Sequence, residues 1–170
     1  VDNLRKSLKI NKKDFVILFV GRLASEKNIE FLINSQKELL KKHNNIKLII
    51  VGDGPDKEAY EKLCKTLEID DKVIFTGKAA WEDMPYYYHL ADVFATASKT
   101  ETQGLTIIEA MAANTVPICM KDEAFQSMIT EDLNGLFFET EQEYQEKILY
   151  LYNNQKELDY LNKQARIQAE

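Results

Sequence analysis

Little in this 170-residue chain suggests a redox, metal or nucleic-acid protein. It has two cysteines, Cys64 and Cys119, in apolar surroundings with no CxxC or Cys/His spacing, as small buried hydrophobes of a reduced, cytoplasmic protein would have. No metal site is expected. The formal net charge is −6 and no Lys/Arg-rich run is present, which argues against a general affinity for nucleic-acid phosphate. Apolar runs such as FVILFV are far shorter than the roughly 20 residues that span a bilayer, and no signal-peptide pattern opens the chain. Membrane contact, if made, would be peripheral. There is no internal repeat or low-complexity segment, and the length suits one domain, residues 1–170, with a sizeable core.

What is present alternates between strand and helix patterns. Residues 1–13 form a basic amphipathic lead-in, with Arg5, Lys6, Lys9, Lys12 and Lys13 around Leu4, Leu8 and Ile10. It reads as a solvated helix at the domain edge, linking from something upstream. Apolar runs at Phe15–Val20, Ile46–Val51, Val73–Phe75, Ala91–Ser98, Val116–Met120 and Gly135–Phe138 are six strand candidates of the kind buried on both faces of a parallel sheet. Helical spacing lies between them. Ile29, Leu32, Ile33, Gln36, Leu39 and Leu40 trace one face, with Asn28 as the expected N-cap. Tyr60, Leu63, Cys64 and Leu67 trace a second face, and Trp81–His89 a short aromatic helix in which Tyr86–Tyr88 cover a core edge and His89 is a polar helix-end residue. Glu123–Thr130 and two helices after Thr140 complete the set. The fold expected is α/β, a doubly wound, mostly parallel Rossmann-like sheet, with ligands at the strand C-terminal ends.

Three loops at those ends carry chemistry. After the first strand, GRLASEKN places Gly21, Arg22 and Lys27 before a helix N-terminus, an anion site by charge and geometry, although unpartnered surface cations are also common. Gly52-Asp53-Gly54-Pro55 is a turn whose glycines permit positive φ and whose proline begins the next helix. It serves equally as a tight turn letting the chain pass close to a cleft. The third is ASKTETQGLTIIEAMAA, residues 97–113. Leu105, Ile108, Ala112 and Ala113 have helical spacing, so the helix starts near Gly104, Glu101 stays in the loop before it, and Glu109 lies about one turn in. Taken alone, Glu101 is a dipole-complementing acid and Glu109 a solvated one. In a strand–loop–helix context they become polyol ligands beside a phosphate site.

The segment ADVFATASKTETQGLTIIEAMAA resembles the Glu-x7-Glu signature of group 1 (family 4) glycosyltransferases, retaining enzymes of GT-B architecture. GRLASEK, VGDGP and the third-strand Thr76-Gly77 fall in family order before it. The resemblance runs from about Phe15 to the last helix, and implies the C-terminal, donor-binding half of such an enzyme, its acceptor domain lying N-terminal and absent here. By that resemblance Arg22 and Lys27 hold the donor diphosphate with the N–H groups of Gly104 and Leu105 and the Thr106 hydroxyl. Glu101 contacts the transferred sugar, Glu109 the ribose diol, and the loop at Lys78 the nucleobase. Retaining transfer of a hexose, most simply glucose from UDP-glucose, needs no metal and no cofactor beyond the nucleotide sugar. The wording TETQGLT is similar to bacterial diacylglycerol glucosyltransferases, which suggests a lipid acceptor at the inner face of a membrane; capsular or other cell-surface glycan synthesis stays open. Gln103, Asn114 and the stretch 121–125 depart from the common family pattern, which frequently has an aromatic, a glycine and a paired glycine there. A non-catalytic nucleotide-sugar or protein-binding module and a GT-B epimerase are the alternatives. The isolated domain is expected to be inactive.

Overall fold

The computed structural model describes residues 2–98, 103–122 and 129–169. The Glu123–Thr130 helix expectation falls largely outside them. Six strands form one sheet: β1 (Phe15–Val20), β2 (Ile46–Val51), β3 (Val73–Gly77), β4 (Val93–Thr96), β5 (Val116–Met120) and β6 (Leu136–Phe138). Their order is β3-β2-β1-β4-β5-β6, and every pairing is parallel. The chain steps outward from β1 to β3 and then returns to place β4 on the other side of β1. The order therefore reverses between β1 and β4, the point where such sheets open a crevice at the strand C-terminal ends.

The strand sequences dictate two cores. Side chains alternate across a strand, so Ile17, Phe19, Leu48 and Ile50 join one core, whereas Val16, Leu18, Ile49 and Val51 join the other. The first is covered by α2 (Ile29–Leu40), α3 (Lys57–Thr66) and, beyond β6, α6 (Glu141–Asn153), through residues such as Leu32, Tyr60 and Tyr144. The second lies under α4 (Met84–Leu90) and α5 (Gln103–Ala112), with Leu4, Leu8 and Ile10 of the lead-in packed against it. The closing helix α7 (Gln155–Ala169) contributes Leu158 and Leu161 to the first core and Ala165 to the second. The lead-in is helical over α1 (Asp2–Ser7), so it sits at the edge of the domain as its pattern suggests.

Three local details differ from the sequence reading. Asn28 precedes α2 but is left-handed (φ 54°), makes no side-chain cap, and donates from Nδ2 to the Ala97 carbonyl at 3.4 Å. A helical turn at Ser25–Lys27 runs into α2, and Asn28 serves as the hinge between them. Pro55 lies in the turn before α3, which begins at Lys57 with Asp56 at the N-cap position. In α5 the buried residues are Ile107, Ala110 and Met111, while Leu105 and Ile108 are exposed. That helix is apolar nearly all round, so spacing alone does not select its inward face. Asn114 stands after α5 with φ 64°. Thr115 N donates to Ala110 O and Asn114 N to Met111 O, a Schellman closure, so asparagine meets the left-handed requirement that glycine would otherwise fill.

At the opposite, N-terminal end of the strands, Asp92 ties β4 to β1. Its Oδ2 accepts from Val16 N at 2.7 Å and its own N–H donates to Val16 O at 2.8 Å. Burial pushes its carboxyl up to about 6, opposed by the Val16 hydrogen bond and by Arg5, and reinforced by Asp159. The folded chain thus holds this proton more tightly than the unfolded chain does. The resulting stability is fully present below the usual carboxylate range, near pH 4, and is lost as pH rises through about 6. That tighter hold on the proton is worth roughly 3 kcal/mol. Asp92→Asn should remove that slope: in denaturant titrations the stability difference between variant and wild type should move in the variant's favour from pH 4 to pH 7. A difference independent of pH would contradict the assignment.

Candidate functional site

The first three strands deliver their loops to one place, and backbone hydrogen bonds knit these together. Gly21 N donates to Val51 O, Leu23 N to Asp53 O, and Asp56 N to Leu23 O, each at 3.0 Å, while Gly52 N donates to Gly77 O at 3.0 Å. Such contact is feasible only without side chains at two points. A Cβ on Gly52, whose φ is +142°, would lie 1.9 Å from the Gly21 carbonyl oxygen, and one on Gly54 would lie 2.5 Å from the Leu23 carbonyl oxygen. The GDGP turn is therefore built to press against the GRL loop.

Between these loops opens a cavity of 430 Å³, lined by Gly21, Arg22, Gly52, Asp53, Lys78, Ala79 and Met84, with Val20 and Val51 at its base. Three of the residues singled out in the sequence, Gly21, Arg22 and Lys78, thus share one wall. Arg22 reaches Glu26 Oε1 at 3.1 Å with both side chains about half exposed or more. A surface i,i+4 pair is worth only about 0.3–0.5 kcal/mol, so the guanidinium can leave Glu26 for another anion at small cost.

Lys27 lies in the same loop but is buried, at 7% exposure. Burial lowers its pKa from the ordinary lysine value, Glu26 opposes the shift, and Arg22 adds to it. A dianion close by would offset the desolvation and favour the charged ammonium. The loop also touches the one after β4: Ser98 Oγ donates to Glu26 O at 3.4 Å, beside the Asn28–Ala97 contact. Residues 99–102 follow, so Glu101 lies outside the described residues. Beyond them Gly104, Leu105 and Thr106 occupy the first turn of α5, the end of a helix that carries partial positive charge. Leu105 is exposed and Thr106 half-buried.

Glu109 sits apart from the cations. It lines a second cavity, of 620 Å³, between α4 and α5, together with Trp81, Met84, Pro85, Tyr88 and Ala112. Met84 borders both cavities. Glu109 therefore lines one cavity and Arg22 with Lys78 the other, and Met84 is common to both. The Tyr88 hydroxyl donates to Glu109 Oε2 at 3.3 Å. Burial first, then the Glu109 charge and this hydrogen bond, push the phenol well above its ordinary pKa, so it stays a donor. Tyr88 and Tyr87 pack on the core, as the sequence reading has it, whereas Tyr86 is exposed. The contact of Tyr88 with Glu109, and the place of Met84 and Asp53 on the walls, were not evident in the sequence. They depend on how the loops converge, and no spacing encodes that. His89 is an exposed residue of the last turn of α4.

A doubly wound parallel sheet with cationic and acidic loops at its switch point is the architecture of nucleotide-binding α/β domains. The chain belongs to the glycosyl transferases of group 1, whose family profile matches residues 1–168. It is 36% identical over 167 residues to the alpha-monoglucosyldiacylglycerol synthase of Acholeplasma laidlawii, covering 98% of this chain and 42% of that protein. Among solved structures it is similar to the C-terminal domain of the group 1 glycosyl transferase LpcC from Francisella tularensis: TM-score 0.86, 25% identity, 98% of this chain and 89% of that one. It is also similar to Anabaena HepE in complex with UDP-glucose: TM-score 0.87, 22% identity, 99% of this chain and 47% of that one. The chain thus spans less than half the length of its full-length relatives and corresponds to the C-terminal domain of the GT-B fold. Among the described residues no helix is long and apolar enough to cross a membrane.

Proposed function

We propose that this chain is the donor-binding domain of a retaining glycosyltransferase, that its donor is a uridine nucleotide sugar, UDP-glucose in the simplest case, and that an N-terminal domain supplies the acceptor site. The observation that carries this reading is the cavity that gathers Gly21, Arg22 and Lys78 at the strand C-terminal ends, with buried Lys27 in the same loop. Its physics is leaving-group stabilisation. As the bond from sugar to diphosphate breaks, negative charge grows on the phosphate oxygens. Arg22, Lys27 and the N–H groups of Gly104 and Leu105 meet that charge, with the Thr106 hydroxyl beside them. Cations carried by the loop do this without a metal, Lys27 from a buried position and Arg22 after leaving its surface partner Glu26.

In this scheme Glu101 orients the transferred sugar and Glu109 accepts from the ribose hydroxyls, both by family resemblance. The loop at Lys78 faces the base. HepE, whose structure holds UDP-glucose, supports the donor assignment through a shared fold. The Acholeplasma relative, named as an alpha-monoglucosyldiacylglycerol synthase, favours a diacylglycerol acceptor, with the whole enzyme working peripherally at the inner face of the cell membrane.

Calorimetric titration tests the diphosphate assignment. Arg22→Ala and Lys27→Ala should each weaken UDP by roughly 1–3 kcal/mol, the range for charge-assisted hydrogen bonds, and leave uridine nearly unchanged. Equal losses for UDP and uridine would show that the loop does not read the diphosphate.

A further inference from the structure

Two ties join α4 to α5, and both converge on Tyr88. Its side chain is 2% exposed, packed against Phe94 with ring centroids 6.1 Å apart, and its hydroxyl reaches Glu109 Oε2. Its backbone carbonyl accepts from Thr115 Oγ1 at 2.6 Å, and Thr115 is the residue whose N–H closes the C-terminus of α5. The turn that closes the helix bearing Glu109 thus also anchors the residue that holds the Glu109 carboxylate.

We propose that Tyr88 is a positioning residue: it fixes the Glu109 carboxylate in the orientation that receives the ribose diol, and does so without touching the nucleotide. The inference rests on the ribose role given to Glu109 above. A glutamate side chain on a helix surface has several rotamers of similar energy, and only some aim its oxygens at a given diol. A rigid donor from a buried ring selects among them before the ligand arrives, which lowers the ordering cost of binding. An ionised carboxylate offers about four acceptor sites, so one hydrogen bond from Tyr88 leaves capacity for two ribose hydroxyls. The ring itself is walled in by Phe94 and the second core, which makes direct contact with the ligand unnecessary to its role.

The test compares UDP with 2′,3′-dideoxy-UDP on the 170-residue chain and on Tyr88→Phe, Glu109→Gln and the double variant, after thermal melts establish that each is folded. Tyr88→Phe keeps the ring and deletes only the hydroxyl. It should weaken UDP by about three- to tenfold, the cost of ordering one freed side chain on binding. It should leave dideoxy-UDP unchanged and have a clearly smaller effect once Glu109 is glutamine, whose uncharged amide oxygen accepts more weakly from the phenol. Thr115→Val, which releases the Tyr88 carbonyl while leaving both partners in place, should show the same discrimination in smaller measure. Equal weakening of both ligands, or a Tyr88→Phe effect of undiminished size in the Glu109→Gln background, would overturn the positioning role. If Glu109→Gln weakens UDP and Tyr88→Phe does not, the positioning role alone falls. If Glu109→Gln leaves UDP untouched, the ribose assignment falls and takes this inference with it.

Discussion

Replacing Gly52 with alanine should cost this domain both stability and its nucleotide site. The added Cβ would stand 1.9 Å from the Gly21 carbonyl oxygen and 3.0 Å from its carbonyl carbon, and Gly52 has φ +142°, where L side chains are strained. Neither side can yield locally. Gly21 N is bonded to Val51 O, and Gly52 N to Gly77 O, so moving one loop breaks the backbone ties of β1 to β2 or of β2 to β3. A strained conformation combined with a backbone clash should destabilise by ~3 kcal/mol or more, lowering Tm by roughly 6–12 °C for a domain of this size. The surviving folded fraction should bind UDP poorly, because the cavity wall formed by Gly21, Arg22, Gly52 and Asp53 is the part displaced. Differential scanning calorimetry and a UDP titration check both effects. A variant with unchanged Tm would mean that the loops do not press together as described.

The other large effect is expected far from the cleft, where β1 begins. Asp14 Oδ2 accepts from Lys47 Nζ at 3.0 Å, and the two side chains are only 5% and 8% exposed. The same carboxylate oxygen accepts from Asn11 N at 2.8 Å, and the ammonium also donates to Lys9 O at 3.3 Å. Asp14→Ala would strand a buried ammonium with one remaining carbonyl. Breaking a buried pair from one side typically costs about 3–5 kcal/mol, so chemical denaturation should show a loss of that order. Replacing both partners together, Asp14→Leu with Lys47→Met, should recover most of it, since an apolar pair of similar volume carries no desolvation cost. If the single variant is as stable as wild type, the pair is not buried in solution.

These two sites show what the sequence made legible and what it did not. FVILFV, IKLIIV and VPICM are continuous apolar runs because their strands are covered on both faces, and that pattern is local. So the six-stranded doubly wound sheet could be read directly, as could the order of the loops after β1, β2 and β3. Lys47 interrupts one of those runs for a reason 33 residues away, since its partner Asp14 reaches it only through the parallel register that sets Val16 beside Lys47. Long-range pairing of this kind leaves no local signal. The inward face of α5 was hidden differently: with Leu105, Ile107, Ile108, Ala110 and Met111 in one turn and a half, periodicity offers two faces, and the sheet chose the one bearing Ile107, Ala110 and Met111. Asn28 carries a capping side chain, yet it takes the left-handed turn because a short helical turn at Ser25–Lys27 has to pivot into α2.

At the site itself, the cations were legible because GRLASEK places them in a loop before a helix, and the cavity brings Arg22 together with Lys78 across 56 positions of sequence. That Glu109 lines a different cavity, which shares only Met84 with theirs, was not legible, since it depends on how the loops and α4 converge.

The central claim is that a uridine nucleotide occupies the crevice over β1, β2 and β3 and reaches α5. The most direct measurement is residue-by-residue mapping of UDP on the isotopically labelled chain by heteronuclear NMR. Saturable shifts are expected in the backbone signals of Gly21, Arg22, Gly52, Asp53, Lys78 and Glu109, with Asn11, Asp14 and Lys47, at the other end of the strands, unmoved. Saturable shifts confined to that other end, or none at the β1–β3 loops at millimolar UDP, would contradict it.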